Sequence, residues 1–172
     1  MALRSNIRNL AALLATAILL AGCGGKEGDE DNSSALAAPD FTVIPVSGEG
    51  GTLTLADYEG KVLILDFWAT WCGPCKREIP HFNVLYAEYK DRGLEILGAS
   101  VDQGGPDVVK RFMQGVPIDY ASAMATPEMQ TAYGPIRAIP TTFIIDRKGR
   151  VQRRYIGYQD ISIFREAVEQ LL

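Results

Sequence analysis

Asp66-Phe67-Trp68-Ala69-Thr70-Trp71-Cys72-Gly73-Pro74-Cys75-Lys76-Arg77-Glu78-Ile79-Pro80 joins two kinds of sequence. The apolar run Val62–Leu65 leads into it and reads as a strand covered on both faces. The segment after it carries Ile79, Phe82, Leu85, Tyr86 and Tyr89 at helical spacing. Two cysteines sit at the join. Residues three apart on a first helical turn share a face, with Cα atoms about 5–6 Å apart, within the span of a disulfide. Cys72 and Cys75 can therefore interconvert between bridge and dithiol with little backbone movement. Cys72 falls at the helix N-terminus, where free N–H groups and the helix dipole favour an anion and lower a thiol pKa. Pro74 suits a first turn, because the N–H it lacks would have had no partner there. Cys75 lies further in and should be the more sheltered thiol. The expected result is one attacking and one resolving sulfur.

The 172 residues suit one domain with additions. The net charge is −4, and no long basic run occurs, so no nucleic-acid partner is expected. Three cysteines make one pair and leave Cys23 to be explained. Arg4 and Arg8 precede an apolar run, 10–21, of signal-peptide length and too short for a confident membrane span. It ends Leu20-Ala21-Gly22-Cys23, which resembles the lipobox of bacterial lipoproteins. That resemblance implies a signal peptide over 1–22 and lipidation of Cys23. The alternative is an uncleaved anchor or an ordinary signal peptide. Either exports the chain to a bacterial periplasm or cell exterior, where disulfides persist. Residues 23–38 are expected to be a lipidated cysteine and a disordered acidic tether with a reach of about 20 Å. Its Asp29-Glu30-Asp31 cluster reads as a solvating run.

The domain spans 39–172. Thr42–Val46 and Thr52–Leu55 read as an N-terminal hairpin around the Gly-rich turn Ser47–Gly51. Strands are expected over Val62–Phe67, Leu94–Val101, Phe143–Asp146 and Val151–Ile156. An extended piece is expected over Val116–Tyr120. Besides the helix after the cysteines, which Pro80 should kink and Gly93 should end, helices are expected over Pro106–Gln114, Pro127–Tyr133 and Ile161–Leu172. The last turns Ile163, Phe164, Ala167, Val168 and Leu171 inward. Strands alternating with helices indicate an α/β fold with a central sheet flanked by helices.

Asp66-Phe67-Trp68-Ala69 followed by Trp71-Cys72-Gly73-Pro74-Cys75-Lys76 resembles the active site of the thioredoxin superfamily. Ile139-Pro140-Thr141 resembles its cis-proline turn. The Pro39-Asp40-Phe41 start, Glu78 followed by Pro80, and the insert from Asp102 to about Met124 narrow the likeness to the exported, membrane-anchored TlpA/ResA type with its redoxin (AhpC/TSA-like) domain. The resemblance implies a thioredoxin-like central mixed sheet, with an N-terminal hairpin extension and a central βα insert. It implies a thiol–disulfide oxidoreductase that reduces protein disulfides and serves cytochrome c maturation, with apocytochrome c a candidate substrate. A membrane electron donor would recharge it. It implies no metal and no other cofactor. By the same resemblance Cys72 and Cys75 are the redox disulfide, and Asp66 and Glu78 are acids that assist Cys75. Trp71, Gly73, Pro74, Ile139 and Pro140 face the substrate. Two departures stand out. Asp66 stands where many of this type have Asn. Gly98 stands where cytoplasmic thioredoxins carry a lysine near that acid.

The alternatives differ in chemistry. An exported oxidase or isomerase would share the fold. A thiol peroxidase would share the early Pro-Asp-Phe pattern but does not use a Trp-Cys-Gly-Pro-Cys pair. A copper-delivery module would need a distal histidine ligand, and His81 is the single histidine. Structural zinc usually takes four ligands. His81 reads as structural or surface, Trp68 as packing, and Met113, Met124 and Met129 as core filling or insert surface.

Overall fold

The computed structural model describes residues 36–46 and 51–172. The expected leader 1–22, Cys23 and the tether up to 35 lie outside the described residues, as does most of the Gly-rich turn, 47–50.

Among the described residues, seven strands and four α-helices follow in order: β1 Thr42–Val43, β2 Leu53–Thr54, β3 Val62–Trp68, α1 Gly73–Tyr89, β4 Leu94–Ser100, α2 Pro106–Met113, β5 Ala121–Met124, α3 Pro127–Ala132, β6 Thr141–Ile145, β7 Val151–Ile156 and α4 Ile161–Glu169. β1 and β2 form a small antiparallel ladder. The other five strands form one sheet in the order β5-β4-β3-β6-β7. β3 lies at its centre, parallel to β4 and antiparallel to β6, so the sheet is mixed.

All seven residues of β3 are buried, and alternation sends them to opposite faces. Leu63, Leu65 and Phe67 join Phe41, Tyr58, Met129, Tyr133 and Phe143 on one face. Val62 and Ile64 meet Phe82, Leu85 and Tyr89 of α1 and Phe164 and Val168 of α4 on the other. Each fully buried Leu, Ile or Phe contributes about 1.5–3 kcal/mol. A third cluster caps the C-terminal end of β3. It contains Trp68, Ala69, Cys72, Cys75, Ile79 and Val109, with Ile139 packed against it. The sheet thus presents the cysteines at the end where two layers close over β3.

The structure departs from expectation in five places. The N-terminal hairpin shrinks to two residues per strand. Asp57 accepts from Thr54 N at 2.7 Å and from Thr54 Oγ1 at 2.8 Å, which winds Leu55–Tyr58 into a 3-10 turn. Pro45 leaves β1 to bridge Ala123 at the edge of β5. The insert's extended piece is not Val116–Tyr120. The strand is Ala121–Met124, parallel to β4, and it follows α2, so the insert runs helix then strand. Ala-Ser-Ala-Met lacks the β-branched and aromatic residues that signal strands. It is held as a strand by its parallel pairing with Leu97–Ser100 of β4. Ile163 is 38% exposed rather than inward, while Phe164, Ala167 and Val168 face the sheet. Residues 36–38, expected within the tether, pack on the β6–β7 turn: Ala38 N donates to Gly149 O and Val151 N to Leu36 O, each at 2.8 Å. Finally, α1 ends at Tyr89, with Pro80 inside it, and Gly93, at φ +100°, closes the 3-10 turn that follows and not the helix itself.

Candidate active site

Cys72 and Cys75 form a disulfide with Cα atoms 5.3 Å apart. Cys72 is the N-cap of α1, and its sulfur accepts from Cys75 N at 3.1 Å. A backbone N–H thus already points at the sulfur that would carry charge as a thiolate. Gly73 and Pro74 form the exposed first turn. Cys72 is 4% exposed and Cys75 1%, so the burial difference between the sulfurs is small. Trp71 stands outward at the rim, 67% exposed. The Ile139–Pro140 peptide is cis, and Ile139 packs against the cluster that holds both cysteines.

Two acids are buried under α1. Asp66 lies opposite Gly98 on β4 and Thr142 on β6, and Thr142 Oγ1 donates to it at 2.9 Å. Burial first, and the nearby Glu78 charge second, push its carboxyl well above the ordinary range, against the smaller lowering by Thr142. Glu78 is fully buried although it sits on a helix three residues after Cys75, one turn along the same face. Burial raises its carboxyl to about 7. The Gln159 N–H, donated to Glu78 Oε1 at 2.7 Å, and the Arg77 charge pull it back. Tyr120 is buried beside both acids, and burial and their charges hold its phenol neutral. Among the described residues, Glu78 Oε2 and Trp68 Nε1 are buried without a hydrogen-bond partner. Such orphans are few in folded proteins, and an oxygen without a donor makes the charged form of Glu78 the costlier one.

The space that a lysine would need at position 98 is filled. A Cβ on Gly98 would lie 2.9 Å from Trp68 Nε1 and 3.4 Å from the Tyr120 ring. An indole and a phenol therefore occupy that space. Trp68 also packs on Phe112 of α2, with ring centroids 5.5 Å apart.

The sequence reading missed a network that fixes the approach to Cys72. Asp102 is buried and accepts from Thr70 N, Thr70 Oγ1 and Ser100 Oγ, each at 2.8 Å, while its own N–H donates to Ser100 Oγ at 3.1 Å. Thr70 and Asp102 are 32 residues apart in sequence. An acid at a strand end after a serine was the available signal, but only strand pairing shows which loop it reaches. His81 is half-buried, 6.0 Å from the Tyr158 ring. Met129 is core, and Met113 and Met124 are half-buried around the cysteine cluster. Among the described residues, no group of three or more His, Cys, Asp or Glu side chains could hold a metal ion.

Residues 35–154 match the model of the AhpC/TSA family. The chain belongs to that family. Among its relatives is the thiol-disulfide oxidoreductase ResA of Bacillus thuringiensis subsp. konkukian (strain 97-27), 36% identical over 136 residues, which are 78% of this chain and 76% of that protein. Solved structures are similar throughout the described fold. A thiol:disulfide interchange protein of the thioredoxin family from Chlorobium tepidum TLS aligns with a TM-score of 0.72 and 33% identity, over 80% of this chain and 96% of that one. A secreted thiol-disulfide isomerase from Corynebacterium glutamicum aligns with a TM-score of 0.75 and 26% identity, over 82% and 88%. The family and the thioredoxin-like fold expected from the motif are thus both shown.

Proposed function

We propose that this protein is a thiol–disulfide oxidoreductase that reduces protein disulfides outside the cytoplasm from a lipid anchor at Cys23. The observation that carries the redox chemistry is the Cys72–Cys75 pair at the N-terminus of α1, with Cys72 as the cap. The names of the relatives and structural neighbours agree with it. In the dithiol form, Cys72 thiolate attacks a substrate disulfide. A Cys72–substrate disulfide forms and one substrate thiolate leaves. Cys75, having given its proton to the buried acids, attacks Cys72 sulfur. The Cys72–Cys75 bridge closes and the second substrate sulfur leaves. Two electrons pass from the dithiol to the substrate. Glu78, one turn from Cys75 and raised to about 7, is suited to take that proton near neutral pH. Asp66 acts as the deeper proton store. Trp71, Gly73, Pro74 and the backbone at Ile139–Pro140 form the rim on which an extended substrate segment lies.

In this reading residues 1–22 are a signal peptide, 23–38 carry the lipid and the spacer, and a membrane-embedded donor returns electrons to the bridge. Apocytochrome c is the candidate substrate. The anchor rests on the Leu20-Ala21-Gly22-Cys23 motif. Among the described residues no helix is long and apolar enough to cross a membrane.

Reduction of insulin disulfides by the dithiol form tests the chemistry. Cys72→Ser should abolish it, and Cys75→Ser should accumulate mixed disulfides on non-reducing gels. Full activity in both variants, or a reduction potential near that of strong periplasmic oxidants, sinks the reductase reading. Palmitate labelling of cells tests the anchor: the label should be present in the wild type and absent in Cys23→Ser.

A further inference from the structure

The loop between β7 and α4, residues 157–160, crosses the face of α1 that carries Glu78. Three backbone ties hold it. Gly157 N donates to Pro140 O at 2.8 Å, Gln159 N donates to Glu78 Oε1 at 2.7 Å, and Asp160 caps α4 by accepting from Ser162 N at 2.9 Å. Tyr158 sits between the first two ties. Its ring centroid lies 5.2 Å from the Arg77 guanidinium carbon and 6.0 Å from the His81 ring. Arg77 and His81 are four residues apart on one helix face and flank Glu78. The ring thus bears on both neighbours of the acid while the next residue's N–H reaches the acid itself. Tyr158 is 38% exposed, so it contributes little to the core. Its contacts are directed instead at the two side chains beside a buried carboxyl.

We propose that Tyr158 is a positioning residue for Glu78: by packing against Arg77 and His81 it holds the 157–160 loop as a strap that shields the carboxyl from water and aims the Gln159 N–H at it. This deepens the proposed oxidoreductase reading, because Glu78 is the acid that reading places beside Cys75. The strap also joins two parts of the site. Pro140 and Glu78 are tied to the same loop two residues apart, so the proline turn and the acid share one support.

The groups around Glu78 set the sign of the expected effect. Arg77 and His81 flank it on α1, Asp66 faces it from β3, Tyr120 from the segment before β5, and Asp160 closes the strap near His81. Burial is the largest influence on Glu78, and the Gln159 hydrogen bond a smaller, opposite one. Releasing the strap admits water and removes both. The larger effect wins, so the carboxyl becomes a stronger acid.

The test is titration of the Glu78 side-chain carboxyl by carbon-13 NMR on the oxidised protein, with Glu78→Gln to assign the signal. Wild type should titrate near 7. Tyr158→Ala should move the midpoint down by about one pH unit or more, a tenfold stronger acid. Tyr158→Phe keeps the ring and should titrate like wild type. An unchanged midpoint in Tyr158→Ala overturns the proposal. So does an equal displacement in Tyr158→Phe, which would assign the effect to the hydroxyl. The readout needs no turnover, so it stands apart from the insulin assay: a strap that holds with no insulin reduction would defeat the functional reading alone.

Discussion

The two ends of β3 use burial in opposite ways. At its start, Val62 and Ile64 pack against Phe82, Leu85 and Phe164, all hydrocarbon or ring, and every one is fully buried. At its finish, Asp66 and Trp68 are buried just as deeply, but beside Glu78, Tyr120 and a disulfide. The first end gains free energy from the removal of water. The second uses the same removal to raise the pKa of two acids and leaves a donor and an acceptor without partners. A strand continuous in hydrogen bonding is therefore divided in chemistry. The division falls between Leu65 and Asp66. Burial raises the pKa of the acids at one end, and the apolar end stabilises a fold that tolerates the polar one.

Phe82→Ala attacks the apolar end and should show the largest stability loss. The ring is fully buried and meets Phe164 at 5.0 Å and Tyr120 at 6.1 Å between centroids. Chemical denaturation should report a loss of about 3–5 kcal/mol. If the two ends are separable, the Cys72–Cys75 chemistry of the still-folded fraction should persist. Loss below 1 kcal/mol would mean that this face collapses to fill the cavity.

Asp102→Ala acts at the other end without touching the sulfurs. It leaves Thr70 N and Thr70 Oγ1 unpaired and takes from Ser100 Oγ its acceptor, while the residue 102 N–H still donates to that hydroxyl. A cost of about 1–3 kcal/mol follows from a buried donor left unsatisfied. Insulin reduction should slow as well, because Thr70 leads directly to Trp71 and Cys72. A stability loss with unchanged turnover would restrict Asp102 to a structural role.

Glu78→Gln should have the mildest effect, and one that depends on pH. The folded carboxyl titrates near 7 against an ordinary value of 4.5, so between those values the folded state binds more protons than the unfolded state. Stability contributed by the protonated form is present below about 4.5 and is lost as pH rises to about 7. Asp66, also raised, acts in the same direction. Denaturation midpoints of the wild type should therefore fall across this window. Those of Glu78→Gln should fall less. Parallel curves would show that Glu78 does not carry the effect.

Much of this architecture was legible from side-chain pattern. The run Val62–Leu65, the helical spacing of Ile79, Phe82, Leu85 and Tyr89, and Cys-Gly-Pro-Cys between them are local signals, and each element formed where its period placed it. β5 was not legible, because Ala121–Met124 has little strand propensity of its own and is a strand through its pairing with β4. Ile163 misled for a related reason: the terminal helix offers more apolar residues than the sheet can cover.

Sequence by itself determined the cysteine pair and the proline turn, since spacing and residue type are properties of a linear chain, and it singled out the two acids only through the family resemblance. Tertiary structure decided the environment of those acids. Glu78 lies on a helix whose neighbours Arg77 and His81 are charged or polar, and nothing local distinguishes it from a solvated residue. It becomes fully buried because the 157–160 loop returns 81 residues later to place Gln159 N–H against it. Asp102 likewise meets Thr70 only once β3 and β4 are paired. Burial and hydrogen-bond partnership depend on which segments meet in space. That is why the chain could be read for candidate groups, while their protonation had to wait for the fold.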